Sequence, residues 1–317
     1  MRILVVFTGG TIGSFETAGN VIAPGDETYN RHLLERYAAS GRARAGVAFD
    51  TMEPLTTLSE NMAPDRWNQL LKALRGVDCA HYDGVIVTHG TDTLAYTAAL
   101  LSLLWQGMDK PLWLVSAGLT LSHPDSNGVA NFAQAVEGIA EGWPGVWAAW
   151  RTKSGGMRRI PGYALRQCDL YTDEFEEAEG AAAAVPAAQP RLYTLTKPLQ
   201  AAVACLRPYP GIDYEAFQPG PAVKAVLHEP YHAGTAPAEG RSTVLDLAAR
   251  CRDQGIDVYL APVKAGSPVY ESAARMRDAG IRALPGVTWE TAYAWLTVAF
   301  SQGDARTAEK LLAEFAG

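Results

Sequence analysis

The sequence predicts an α/β protein, with a larger N-terminal three-layer α/β domain on a mainly parallel sheet and a smaller C-terminal α/β domain. Three observations carry that expectation. Residues 2–7, 84–88 and 111–116 are short continuous apolar runs, the pattern of strands covered on both faces. Stretches of helical length separate them, as right-handed crossovers require. Near 174–190 an acidic cluster, EFEEAEG, gives way to AAAAVPAAQP, a change of composition that marks a boundary.

Taken in order, the first run should form a strand ending at Thr8-Gly9-Gly10, followed by helices over 28–39 and 64–75. The run at 84–88 then leads into 93–105, which is apolar on nearly every face and therefore predicted to be buried, since thirteen residues cannot cross a bilayer. A strand at 111–116 and a helix over 128–140 complete the part read most clearly. The N-terminal domain is placed at 1–185, a linker at 186–198 and the C-terminal domain at 199–317. In the latter, strands are expected at 200–205, 223–227 and 257–261, with helices near 241–254, 289–301 and 305–315.

Composition narrows the function. Of 317 residues, 48% are hydrophobic, ample for a sizeable core. Lys and Arg number 27 against 34 Asp and Glu, a net charge of -7 without the basic footprint that nucleic acid or anionic lipid selects. A small polar substrate fits better. Cys79, Cys168, Cys205 and Cys251 stand far apart, as expected of reduced thiols in a cytoplasmic protein. Only five apolar residues follow Arg2, too few for a signal peptide, and no stretch has the length of a membrane span.

The chemistry is concentrated in two loops. Thr8-Gly9-Gly10-Thr11-Ile12-Gly13 follows the first strand, where adjacent glycines let backbone N–H groups approach a ligand and Thr11 presents a hydroxyl. Thr88-His89-Gly90-Thr91-Asp92-Thr93 occupies the equivalent position after a later strand, so both loops should open on one crevice. There the Thr91 hydroxyl could relay a proton, and the Asp92 carboxylate could receive an ammonium group or cap the following helix. His89, between strand and turn, reads as a hydrogen-bonded packing residue.

The pair TGGTIG at 8–13 and HGTDT at 89–93, about eighty residues apart, resembles the bacterial-type asparaginase and glutaminase family. The resemblance extends to Leu58-Ser59-Glu60-Asn61-Met62, to Asn127-Gly128 through Asn131, and to Tyr209-Pro210-Gly211 and Tyr231-His232-Ala233-Gly234-Thr235. It implies a two-step hydrolysis of L-asparagine to L-aspartate and ammonia, with no cofactor and no metal, in a homodimer or homotetramer. By matching position, Thr11 would be the acylated nucleophile and Thr91 the proton relay. Asp92 and Glu60 would receive the substrate ammonium and Ser59 its carboxylate. Backbone N–H groups around Gly10 and Gly90 would hold the oxyanion, a contribution of about 3 kcal/mol per donor.

Three positions depart from the family pattern. Counting back nine residues from Phe175, where a lysine is expected, lands on Arg166, which cannot readily shed a proton; Lys153 is the alternative cation. The lid tyrosine has no clear counterpart, since Gly19-Asn20-Val21-Ile22 stands there, although residues 14–27 have the composition of a mobile loop. Glu60 stands where glutamine is usual. These departures keep open an asparaginase-like amino-acid-binding protein with weak catalysis, or a hydrolase of a related amide. His228-Glu229-Pro230-Tyr231-His232 matches the zinc pattern HExxH, but Pro230 and the strand-like run before it deny the helix that pattern needs.

Overall fold

The apolar run at the N-terminus forms β1 (Arg2–Val6), with Ile3 through Val6 all buried. A computed structural model describes every residue except 18–20, 26, 181–191, 193–194, 265, 267–268 and 304–317. Contacts divide the chain into two compact units, one holding Met1–Ala178 and Pro190–Leu195, the other continuing from Thr196.

In the first unit β1 is followed by a hairpin, β2 (Ser14–Thr17) and β3 (Val21–Pro24), then α1 (Glu27–Ala39), β4 (Ala48–Met52) and α2 (Pro64–Arg75). Next come β5 (Gly84–Thr88), α3 (Leu94–Leu104), β6 (Leu112–Val115), α4 (Gly128–Ala140), β7 (Val146–Arg151) and β8 (Met157–Pro161). The sheet runs β4-β1-β5-β6-β7-β8, parallel except for the last pair. Strands alternate their side chains between two faces, and both are covered. Ile3, Val5 and Phe7 pack with Ile86, Trp113 and Val115 beneath Leu33 and Tyr37 of α1 and Phe132, Val136 and Ile139 of α4. Leu4, Val6, Val85 and Val87 point the other way and are equally buried. Each such side chain contributes roughly 1.5–3 kcal/mol on leaving water. At α2 and α3, Trp67 Nε1 donates to Thr97 Oγ1 at 2.9 Å. Ten of the eleven α3 residues are buried, which accounts for its unbroken apolarity.

Three strands escaped the sequence reading because each sits at or near an edge. β4 is interrupted by Asp50 and Thr51, β7 is rich in Trp and Ala, and the outermost strand β8 carries two arginines. Within the segment 14–27, read as a loop, Ser14–Thr17 and Val21–Pro24 instead pair as antiparallel strands, and α1 begins at Glu27.

The second unit has its own parallel sheet. It contains β9 (Val203–Leu206), β10 (Ala225–His228), α5 (Val244–Asp253), β11 (Asp257–Val263), α6 (Glu271–Asp278), β12 (Arg282–Pro285) and α7 (Trp289–Gln302). The strand order is β12-β11-β10-β9. Val226, Val258 and Leu260 pack against Val244, Leu247 and Cys251 of α5, while Tyr259, facing the opposite side, meets Phe300 of α7. Thr243 begins α5 with a capping box, its hydroxyl accepting from Asp246 N–H while the Asp246 carboxylate accepts from Thr243 N–H. The short, polar α6 and β12 were not read from the sequence. The expected helix at 305–315 and most of the expected linker lie outside the described residues.

Candidate active site

The order β4-β1-β5-β6-β7 makes the connections leave β1 in opposite directions, placing the switch point of the sheet between β1 and β5. Open parallel sheets bind ligands at such a point, beyond the carboxyl ends of the strands. Both glycine-threonine loops emerge there.

Three segments interlock at this edge. Gly10 N–H donates to Thr57 O at 3.1 Å and Thr57 N–H to Thr8 O at 3.1 Å, extending the parallel ladder one step past β1. Thr8 Oγ1 donates to Thr88 O at 2.6 Å, tying the first loop to the end of β5. Gly10 has φ 81°, and a Cβ there would collide with the backbone of Gly90. A Cβ on Gly90 would in turn strike the Ser59 side chain. The two glycines therefore lie back to back, an approach no larger residue permits. Thr11 begins a single 3-10 turn, Thr11–Gly13, closed by Gly13 N–H on Gly10 O and by Ser14 Oγ on the same carbonyl at 2.7 Å.

Ser59 joins the second loop to the third segment. Its hydroxyl accepts from Asp92 N–H at 3.2 Å and its carbonyl accepts from Thr93 Oγ1 at 2.8 Å. Ser59 is buried, whereas Asp92 and Glu60 are exposed and Thr91 is half-buried. Neither the Thr11 nor the Thr91 hydroxyl has a hydrogen-bond partner among the described residues. Asp92 does not cap α3, whose N-cap is Thr93 without a side-chain bond. Two hydroxyls and two carboxylates thus stand at one strand edge without structural duties, available to an amide and an ammonium group.

Comparison with known proteins agrees with this geometry. Residues 2–153 match the family model described as asparaginase, N-terminal. Over this stretch, just under half of the chain, the sequence is similar to asparaginases. An L-asparaginase of Thermococcus kodakarensis is 32% identical over 154 residues, 48% of this chain and 45% of that protein. L-asparaginase 1 of Escherichia coli is 30% identical over 148 residues, 45% of this chain and 41% of that protein. One component of the glutamyl-tRNA(Gln) amidotransferase of Aeropyrum pernix is 30% identical over 141 residues, 43% of this chain and 31% of that protein. The matched stretch therefore spans under half the length of these relatives. The fold likeness runs further. The thermostable L-asparaginase from Thermococcus kodakarensis superposes with a TM-score of 0.77 at 24% identity, covering 99% of this chain and 97% of that one. A probable cytoplasmic L-asparaginase from Campylobacter jejuni gives 0.75 at 20% identity, covering 99% of each.

Neither candidate for the cation expected near Thr91 is paired with it. Arg166 is largely exposed and faces Glu176 at 3.6 Å. Lys153 Nζ pairs with Asp173 at 2.6 Å, and its backbone N–H donates to Glu174, whose other oxygen accepts from Trp150. Close to Lys153 stands Cys168, which the sequence did not single out as a site residue. Burial pushes its thiol up to about 12, helped by the carboxylates of Asp173, Glu174, Asp169 and Asp92. The thiol stays protonated and is no competing nucleophile. Its position is informative nonetheless, because Cys168 is within electrostatic reach of both Asp92 and Lys153.

The supporting asparagines are accounted for. Asn127 Oδ1 accepts from Gly118 N–H and its amide donates to Arg151 O, while Asn131 bridges Ser116 O and Arg151 N–H. The lid positions Gly19 and Asn20 and the side chains of Val21 and Ile22 lie outside the described residues. In the second unit, the HExxH segment begins at the last residue of β10 and continues into a turn. His228 is fully buried with Nε2 2.9 Å from Tyr214 Oη, whereas His232 is exposed, and Glu229 pairs with Arg207. Without a helix the two imidazoles do not share a face, and the zinc reading fails. Among the described residues no helix is long and apolar enough to cross a membrane.

Proposed function

We propose that the chain is an amidohydrolase that converts L-asparagine to L-aspartate and ammonia through an acyl-threonine intermediate. The observation that supports this most is the back-to-back contact of Gly10 and Gly90, which sets the two threonine loops side by side at the switch point. In the first step the Thr11 Oγ–carbon bond forms as the carbon–nitrogen bond breaks, and the hydroxyl proton leaves with ammonia. Water then adds to the ester, and its proton returns to Thr11 Oγ. Thr91 carries protons in both directions, with Lys153 supplying the positive charge near Asp92. Asp92 and Glu60 receive the substrate ammonium, the Ser59 hydroxyl faces its carboxylate, and backbone N–H groups around Gly10 and Gly90 stabilise the oxyanion. No cofactor or metal takes part. As the family resemblance of its motifs implies, the chain would work as a homodimer or homotetramer in the cytoplasm.

Purified protein should release ammonia from L-asparagine, and Thr11→Ala should lose that activity while keeping its circular dichroism spectrum and melting temperature. Full turnover in Thr11→Ala would sink the mechanism. The pairing of both Lys153 and Arg166 with carboxylates favours one second reading, an amino-acid-binding protein with weak catalysis. Calorimetry showing saturable asparagine binding without ammonia release would establish that reading instead.

A further inference from the structure

His89 takes no part in the two-threonine chemistry, yet it is wholly buried between the site and the core. Its Nδ1 lies 2.9 Å from Gly90 O, its Nε2 2.9 Å from Thr97 Oγ1, and Trp67 Nε1 donates to that same Oγ1 at 2.9 Å. These contacts admit one direction only. A carbonyl accepts and never donates, so Nδ1 carries the proton and Nε2 of the neutral ring is an acceptor. The Thr97 hydroxyl must then donate to Nε2, and its lone pair receives the Trp67 N–H. The chain runs from Trp67 through Thr97 and His89 to Gly90. Burial, acting against the Gly90 carbonyl and Asp92, pulls the imidazole down to about 4, so the ring is neutral across the physiological range.

The peptide between Gly90 and Thr91 is planar and trans, so holding the Gly90 oxygen toward the interior turns the Thr91 N–H the opposite way. That N–H has no hydrogen-bond partner among the described residues. We propose that His89 is a positioning residue, which through the Gly90 carbonyl holds the Thr91 N–H aimed at the oxyanion formed in the reaction. This rests on the amidohydrolase reading above and adds to it a buried side chain that no substrate touches.

The test compares two variants of similar size. In His89→Asn an amide nitrogen falls where Nδ1 stood and still donates to Gly90 O, whereas in His89→Gln the amide falls where Nε2 stood. His89→Asn should keep most of kcat. His89→Gln should lower kcat about tenfold or more at nearly unchanged KM, a share of the 10²–10³ that one oxyanion donor is worth. Equal kcat in the two variants, or a loss in His89→Gln confined to KM, overturns the proposal. Nitrogen-15 spectra of the wild-type histidines serve where a variant misfolds: the Nδ1–H tautomer is required at His89, and the Nε2–H tautomer overturns the proposal. A wild-type protein that shows the Nδ1–H tautomer yet releases no ammonia overturns the amidohydrolase reading on which the proposal rests, an outcome distinct from the wrong tautomer.

Discussion

Lys153 and Arg166 differ in their surroundings more than in their charge. Arg166 sits next to the isolated bridge of Leu165 with Glu177 and donates its backbone N–H to the carbonyl of Glu176, the residue its guanidinium faces. Lys153 shares the neighbourhood of Cys168 with Asp92, and its ammonium is held up by Asp173. That pairing keeps Lys153 protonated, so the lysine offers a charge near Asp92 rather than a base. Lys153→Ala should therefore lower kcat for ammonia release more than Arg166→Ala, as steady-state rates at matched pH will show; the reverse order would assign the role to Arg166. The sequence could not choose between them, because spacing along the chain says nothing of where the 165–177 segment folds back. It did single out Thr11, Thr91 and Asp92, whose loops lie directly after strands, while Ser59 entered only through the family resemblance. Cys168, Thr97 and Trp67 carried no signal, since their roles exist only through partners distant in sequence.

At the scale of elements, legibility followed burial. β1, β5 and β6, covered on both faces, announced themselves as continuous apolar runs, and α2 and α4 were placed at their observed limits. Edge strands β4, β8 and β12 did not, because a strand with one solvated side needs no such run. The close fit of α4 to the sheet has one critical point. A Cβ on Gly138 would lie within the Trp113 indole, which is itself wholly buried. Gly138→Ala gains roughly 1 kcal/mol of helix propensity but overfills a packed layer, at a cost of about 1–3 kcal/mol. A clash inside a fixed ring puts the cost at the upper end, so the variant should denature at lower urea concentration than the wild type; an unchanged midpoint would show that α4 can lift from the sheet.

For the whole molecule, acid is the weak side. His89 in the first unit and His228 in the second are each pulled down to about 4, in both cases chiefly by burial. The unfolded chain takes up these protons near the ordinary 6.5, the folded one only near 4, so stability falls as pH drops through that window and is fully present above it. Each histidine accounts for roughly 3 kcal/mol at the acid end. Asp50, Asp169, Asp213 and Asp246, held below their usual range, act only at lower pH. Melting temperatures measured from pH 7 to pH 4 should fall steadily, and a flat profile down to pH 5 would contradict the burial of both rings. The placement of the threonine loops bears on heat as well. Their separation is inherited from two adjacent strands, β1 and β5, whose hydrogen-bonded spacing of about 4.8 Å acts as a ruler. A ruler made from an interior ladder, with a strand on either side, does not soften ahead of the rest, so loss of activity on heating should coincide with loss of the sheet itself rather than precede it.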